Sequence, residues 1–331
     1  MRSKPLDLET LATGAFAPAL DAPIDAIAFG IVTRDGTRAT RYAGTARPEL
    51  WFDLASLTKP LVTAREILTR AADGALDLDA PLSVLIPDLR QYDIAHAWER
   101  RLTPRALLAH DTPLPPVVPI YTYGTDPRTL RAWVLQHEWP RRDTVAYSDI
   151  NYILLGLALE RLTGRPFADL PTPDGIALAG PRGPCALTEY CHWRERMLCG
   201  EVHDENAAAL GGAAGHAGAF GTLDGVLDAA GAILTGEFAP ARAIAWMREI
   251  VRPGRTLGWE APSPGWSGSE LCSPATIGHL GFTGTGLWVD FDRGLAWTLL
   301  TNRVHPTRHR ETGIALLRRA ISAEICRATG A

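Results

Sequence analysis

The chain has 331 residues, of which 46% are hydrophobic and 21% charged, the make-up of a globular protein with a substantial core, as one large domain or two ordinary ones. Its formal net charge is −4, with both signs interspersed and no aromatic-basic ladder, so nucleic-acid binding has no electrostatic support. No stretch approaches about 18 consecutive apolar residues, which argues against a spanning helix.

At the N-terminus, Arg2 and Lys4 would suit the start of a leader, but Asp7 and Glu9 interrupt the apolar core a leader needs. The chain as given therefore reads as cytoplasmic. Residues 6–20 look like a short amphipathic helix. The run from Ile24 to Val32, the Asp35-Gly36 turn signal and the β-formers of Thr37 to Thr45 predict a hairpin. Residues 56–73 predict a helix with apolar positions 61, 64, 67, 68, 71 and 72, stopping at Gly74. Further on, Thr103 caps a helix with Pro104 at its first position, and Ser148 or Asp149 caps a helix that ends at Gly164. Residues 165–210 show little periodicity and are expected to be long loops. A second strand-turn-strand pattern runs from Phe282 to Asn302, and a final helix is expected over 307–329. Strands at both ends and helices between them predict an α/β (α+β) fold. Its antiparallel sheet is formed by both termini and flanked by helices, with a mainly helical lobe inserted. The expected organisation is one domain, 1–331, with an α/β lobe at 1–75 and 215–331 and a helical lobe at 76–214.

The five cysteines, at 185, 191, 199, 272 and 326, are odd in number and contain no C-x-x-C pair, which reads as reduced thiols. A zinc site built from the first three with His192 or His203 would fit no familiar finger spacing.

The chemistry starts from a scarcity. Of 33 Lys and Arg residues only Lys4 and Lys59 are lysine. Lys59 sits in the apolar stretch "DLASLTKPLVTA", three residues after Ser56. Arginine supplies charge as well but does not give up its proton, whereas a buried lysine can. A serine hydroxyl needs a neighbouring base to become a nucleophile, and a helix start adds N–H groups and a positive dipole end. On these four residues alone a capping serine and a snorkelling lysine are the better explanation, and the other elements must decide. The second element is "AYSDINY", where Tyr147 precedes a helix cap and Asp149 could orient a substrate or the Lys59 ammonium. The third is "GHLGFTGTGLWVD", whose glycines lead into a strand and mark close approach of another backbone or a ligand. The N–H of Phe282 would pair there with that of Ser56 as an oxyanion hole.

In this order the three elements resemble the serine β-lactamase and penicillin-binding protein superfamily, with S-x-x-K, then Y-x-N or S-x-N, then K-T-G or H-x-G. The branch with class C β-lactamases, D,D-peptidases and related carboxylesterases is the nearest in pattern. "YSDINYILLG", "GGAAGHAGAFGT" and "LLTNRVHP" extend the resemblance over most of the chain. It implies the β-lactamase/transpeptidase fold, with Ser56 as the acylated nucleophile and Lys59 and Tyr147 sharing proton transfer. Asp149, His279, Gly281 and Phe282 would line the substrate site.

Two departures stand out. His279 and Leu280 replace the family's Lys and Thr, which weakens recognition of a carboxylate unless Arg303 or Arg308 supplies the charge. Asp149 replaces Asn, which should raise the Lys59 pKa and leave Tyr147 as the better base. "EVHDENA" with His216 reads as loop packing or cleft lining rather than a metal site. "HDTPLP", His110 to Pro115, reads as a helix exit. "GWSGS" lacks the last glycine of a nucleophile elbow. The expectation is a serine hydrolase that acts through an acyl-enzyme on an ester or amide, with a β-lactam or D-amino-acid peptide among the open substrates. It needs no cofactor and no metal, and its partner is a small molecule or short peptide. The alternative is a non-catalytic binding or regulatory protein that keeps the fold.

Overall fold

The computed structural model describes residues 7–330; Lys4 and the first residue of the expected N-terminal helix lie outside them. In chain order the strands are β1 (Ala26–Thr33), β2 (Arg38–Gly44), β3 (Phe52–Ala55), β4 (Ile176–Leu178), β5 (Leu187–Cys191), β6 (Arg196–Cys199), β7 (Ala219–Gly221), β8 (Thr276–Leu280), β9 (Gly286–Asp290) and β10 (Leu295–Thr301). The helices are α1 (Leu8–Phe16), α2 (Arg65–Ala72), α3 (Leu82–Leu85), α4 (Pro104–Leu108), α5 (Pro127–Gln136), α6 (Asp149–Thr163), α7 (Glu205–Ala209), α8 (Leu223–Thr235), α9 (Ala241–Arg248) and α10 (Ile314–Ala328).

The Asp35-Gly36 hairpin forms as expected, with Gly36 at φ +85° and Ile31 opposite Ala39. β1 then pairs antiparallel with β10, so the first and last strands of the chain share one sheet in the order β2-β1-β10-β9-β8. Successive residues of β1 point to opposite faces. Ile27, Phe29 and Ile31 join Trp297 and Leu299 under α1 and α10, while Ala26, Ala28 and Val32 join the larger core that contains Leu223, Val226 and Leu227 of α8. Being covered on both sides is why β1 reads as a continuous apolar run rather than an alternating one.

A second sheet, β3-β7-β4, carries the chain up to Ser56. It draws β4 from the segment expected to be loop. That segment also holds the β5–β6 hairpin and α7. These strands are three to five residues long, too short to leave a readable period. The terminal helix is shorter than expected: α10 starts at Ile314, because Gly313 adopts φ +66° and residues before it are held by other contacts.

α6 packs backbone to backbone against the segment around Gly215. A Cβ on Gly156 would lie 2.7 Å from the Gly215 nitrogen, and Thr63 Oγ1 donates to the Gly215 carbonyl at 2.6 Å. A methyl here must push the two backbones apart. Gly156→Ala is expected to destabilise the fold by roughly 1–3 kcal/mol, as overpacking does, seen as a lower urea midpoint at unchanged slope. An unchanged midpoint would contradict this packing.

Candidate active site

The chain leaves β3 at Ala55, whose φ of +47° is unusual for a residue with a side chain. It turns through Ser56 and Leu57 and enters a π-wound stretch, Lys59–Ala64, that continues into α2. The expected serine cap does not form. The turn is closed instead by Thr58 Oγ1, which donates to the Ala55 carbonyl at 2.6 Å and accepts from the Ala219 N–H at 3.0 Å. The Ser56 hydroxyl is left to face the lysine. π-turns are rare and recur at functional sites.

Lys59 is fully buried. Its ammonium lies against Ser56 Oγ at 2.8 Å, the His216 carbonyl at 3.0 Å and Asp149 Oδ1 at 2.8 Å. Burial alone would lower its pKa. The Asp149 carboxylate and Tyr147 outweigh burial and hold the pKa above the ordinary lysine value. Tyr147 is partly exposed, at the wall of the cleft. Desolvation raises its pKa, Lys59 pulls it back, and the net direction is upward. The Tyr147 hydroxyl interacts with both the Lys59 ammonium and Ser56, and Lys59 Nζ lies 4.9 Å from the ring centroid. Both groups thus favour their protonated forms at rest.

The segment carrying Tyr147 is held from outside α6. Ser148 Oγ donates to the Pro115 carbonyl at 2.6 Å rather than capping the helix, and the Asp149 N–H donates to the Pro116 carbonyl at 2.8 Å. Asp149 is therefore in the first helical turn with its carboxylate turned to Lys59.

The opposite wall is the end of β8 and the turn after it. His279 Nδ1 faces the Leu280 carbonyl at 2.9 Å, and burial with Lys59 and Arg255 nearby drives the imidazole pKa well below its usual value. Its neutral form is favoured, in keeping with its replacing a lysine. Thr283 Oγ1 donates to the Asp53 carbonyl at 2.7 Å and Thr285 Oγ1 to the Leu54 carbonyl at 3.0 Å. These bonds dock the turn on the strand that ends at Ser56. Among the described residues, neither the Ser56 N–H nor the Phe282 N–H has an acceptor within the protein.

Ser56, Tyr147, Asp149, His279, Gly281 and Phe282 share one cleft of about 770 Å³, with Lys59 buried behind Ser56. Arg255, Arg303 and Arg308 line it too. Arg308 is committed to Glu189 and Glu205, whereas Arg303 donates through Nε to the Phe282 carbonyl at 2.8 Å and has no carboxylate partner among the described residues.

Three groups near this site carried no catalytic signal in the sequence. His110, at φ +52°, accepts the Ser148 N–H at 3.1 Å and has its ring 4.3 Å from that of Tyr147, so the expected helix exit supports the tyrosine. His216 pairs with Asp204 at 2.8 Å while its carbonyl holds Lys59. His203 Nε2 lies 2.8 Å from Glu189 Oε2. No group of three or more His, Cys, Asp or Glu among the described residues is arranged to hold a metal ion. No helix among them is long and apolar enough to cross a membrane.

The fold is of the β-lactamase/transpeptidase class, and the comparison with known families supports a serine hydrolase. The chain belongs to the Beta-lactamase family, whose profile matches residues 15–321. It is 25% identical over 319 residues to an N-acetylmuramyl-L-alanine amidase of Bacillus subtilis, covering 82% of this chain and 72% of that protein. It is 24% identical over 319 residues to a candidate D-alanyl-D-alanine carboxypeptidase of Salmonella agona, covering 82% and 73%. Among solved structures, a class C β-lactamase from Rhodobacter sphaeroides superposes with a TM-score of 0.70 at 17% identity, covering 96% of this chain and 98% of that one.

Glu189 gives a test of the cleft's electrostatics. Burial works to raise its pKa, but hydrogen bonds from His203 and Arg308 outweigh it and hold the carboxyl at about 2. A depressed carboxyl contributes stability above its unfolded pKa of about 4.3, lost as pH falls through the folded value. Glu189→Gln should therefore be less stable than the parent at pH 7, with the gap closing between about pH 4.5 and 2. Urea titrations across that range check it; a gap independent of pH would contradict the assignment.

Proposed function

We propose that this chain hydrolyses an ester or amide through an acyl-enzyme on Ser56, with Lys59 and Tyr147 handling the proton. The reading rests on one observation above the rest: the Ser56 hydroxyl lies 2.8 Å from a fully buried lysine ammonium. A charged Lys59 cannot take the serine proton. It can lower the cost of negative charge on the Tyr147 oxygen. As Ser56 Oγ bonds to the carbonyl carbon, its proton passes to the Tyr147 oxygen, and the phenol's own proton goes to the departing oxygen or nitrogen. The carbonyl oxygen gathers charge opposite the N–H groups of Ser56 and Phe282. Water then releases the acyl group by the reverse transfers. Such donors are worth about 10²–10³ in rate.

Asp149, His279, Gly281 and Phe282 form the substrate walls. The cleft volume of about 770 Å³ suits a small molecule or short peptide. The names of the similar proteins, an amidase and a candidate carboxypeptidase, support an amide. Neutral His279 offers a penicillin carboxylate less than an ammonium would.

Intact-mass measurement after treatment with a fluorophosphonate and, separately, a fluorescent penicillin tests this reading. A phosphonate adduct that disappears in Ser56→Ala is expected, with the penicillin reacting weakly. No adduct with either reagent would leave a binding protein. Lys59→Arg should keep slow labelling, because arginine retains the charge, whereas Lys59→Met should lose it; equal loss in both would mean that the lysine proton itself must leave.

A further inference from the structure

Arg318, on α10, is far in sequence from the serine and absent from the chemistry above. It is buried, yet has no carboxylate partner among the described residues. Its Nη2 donates instead to two carbonyls, Gly281 at 2.8 Å and Thr285 at 2.6 Å. Those carbonyls open and close the turn that contains Phe282. The turn is already tied internally: the Gly281 N–H donates to the Thr285 carbonyl at 2.9 Å and the Gly284 N–H to the Gly281 carbonyl at 3.1 Å. Burial pushes the guanidinium down to about 9, with Arg303 adding repulsion, so it is still charged at neutral pH. A buried cation with only carbonyl partners is costly, and needs a reason.

The Gly281 carbonyl and the Phe282 N–H belong to one peptide unit. That unit is planar and trans, so fixing the carbonyl direction fixes the N–H direction, on the opposite side. A charge-assisted bond to the carbonyl also polarises the unit and makes its N–H a stronger donor. On the other side the turn lies against the strand before Ser56. A Cβ on Gly281 would sit 2.5 Å from the Leu54 carbonyl and 2.0 Å from Thr285 Oγ1.

We propose that Arg318 is a positioning residue for the oxyanion site: by holding the Gly281 carbonyl it aims and strengthens the Phe282 N–H. This rests on the acyl-enzyme reading above, and the two can fail separately.

The test uses the full chain with Arg318→Met and Arg318→Lys, and Arg319→Met as a control on the exposed side of the same helix. Turnover of a p-nitrophenyl ester and affinity for phenylboronic acid, which forms a tetrahedral adduct on serine, are measured alongside Tm. In Arg318→Met, kcat should fall about tenfold or more, less than the 10²–10³ for deleting a donor outright. KM should stay within about twofold, and boronate affinity should fall with kcat, because only transition-state stabilisation is lost. Arg318→Lys, which keeps a donor and a charge, should recover part of kcat, and Arg319→Met should match the parent. A lowered Tm with kcat and boronate affinity unchanged in both Arg318 variants would overturn the proposal and leave Arg318 a structural tie. Should Arg318→Met not fold, Arg318→Gln, which removes the charge, takes its place, and parental kcat and boronate affinity there would overturn it equally. A parent chain that takes neither fluorophosphonate nor boronate on Ser56 would sink the acyl-enzyme reading, and this one with it.

Discussion

The ammonium of Lys59 is the constraint on which the site is built. It has no access to water, and an unmatched buried charge costs several kcal/mol. An ammonium has donors and no acceptor, and Ser56, Asp149 and the His216 backbone each bring an oxygen to it. Each belongs to a different piece of chain: the turn after β3, the first turn of α6 and the loop before β7. Charge matching therefore forces three segments to converge. The contact of Gly156 with Gly215 and the Thr63 bond to the Gly215 carbonyl are the packing that lets them do so.

The same charge shapes its surroundings. His110 and His279 both have pKa values well below the ordinary imidazole value, with burial first and Lys59 among the causes. They pack around Tyr147 as neutral rings, with centroids 4.3 and 6.1 Å from its own. The cation density that a Lys at position 279 would bring is thereby absent from that wall, and arginines at the rim carry it instead. The wall itself is positioned by backbone contacts: the threonine bonds to β3, the close approach of Gly281, and Arg318 behind the turn.

Much of this was legible. The scarcity of lysine marked Lys59, and Ser56, Tyr147, Asp149 and the 278–286 glycines stood out by type and spacing. The sheet shared by the two termini followed from strand patterns at both ends. What escaped did so for physical reasons. The π-wound start of the helix follows from how Thr58 closes the turn, and threonine there carries no π signature. Ser148 looked like a cap, but its partner, Pro115, is 33 residues away. His216 acts on Lys59 through its carbonyl, which every residue has. Arg318 reaches Gly281 across 37 residues of chain, and one arginine among many gives no hint of its target.

The charge on Lys59 can be read directly, because the chain has only two lysines. Protein grown with lysine labelled at 13Cε should give two resonances, and Lys4→Arg assigns the remaining one to Lys59. The Lys59 signal should keep its ammonium position through neutral pH and titrate above the ordinary lysine value of about 10.4. A signal that reports a neutral amine at pH 7 would contradict the charged-partner role and return Lys59 to the part of the base.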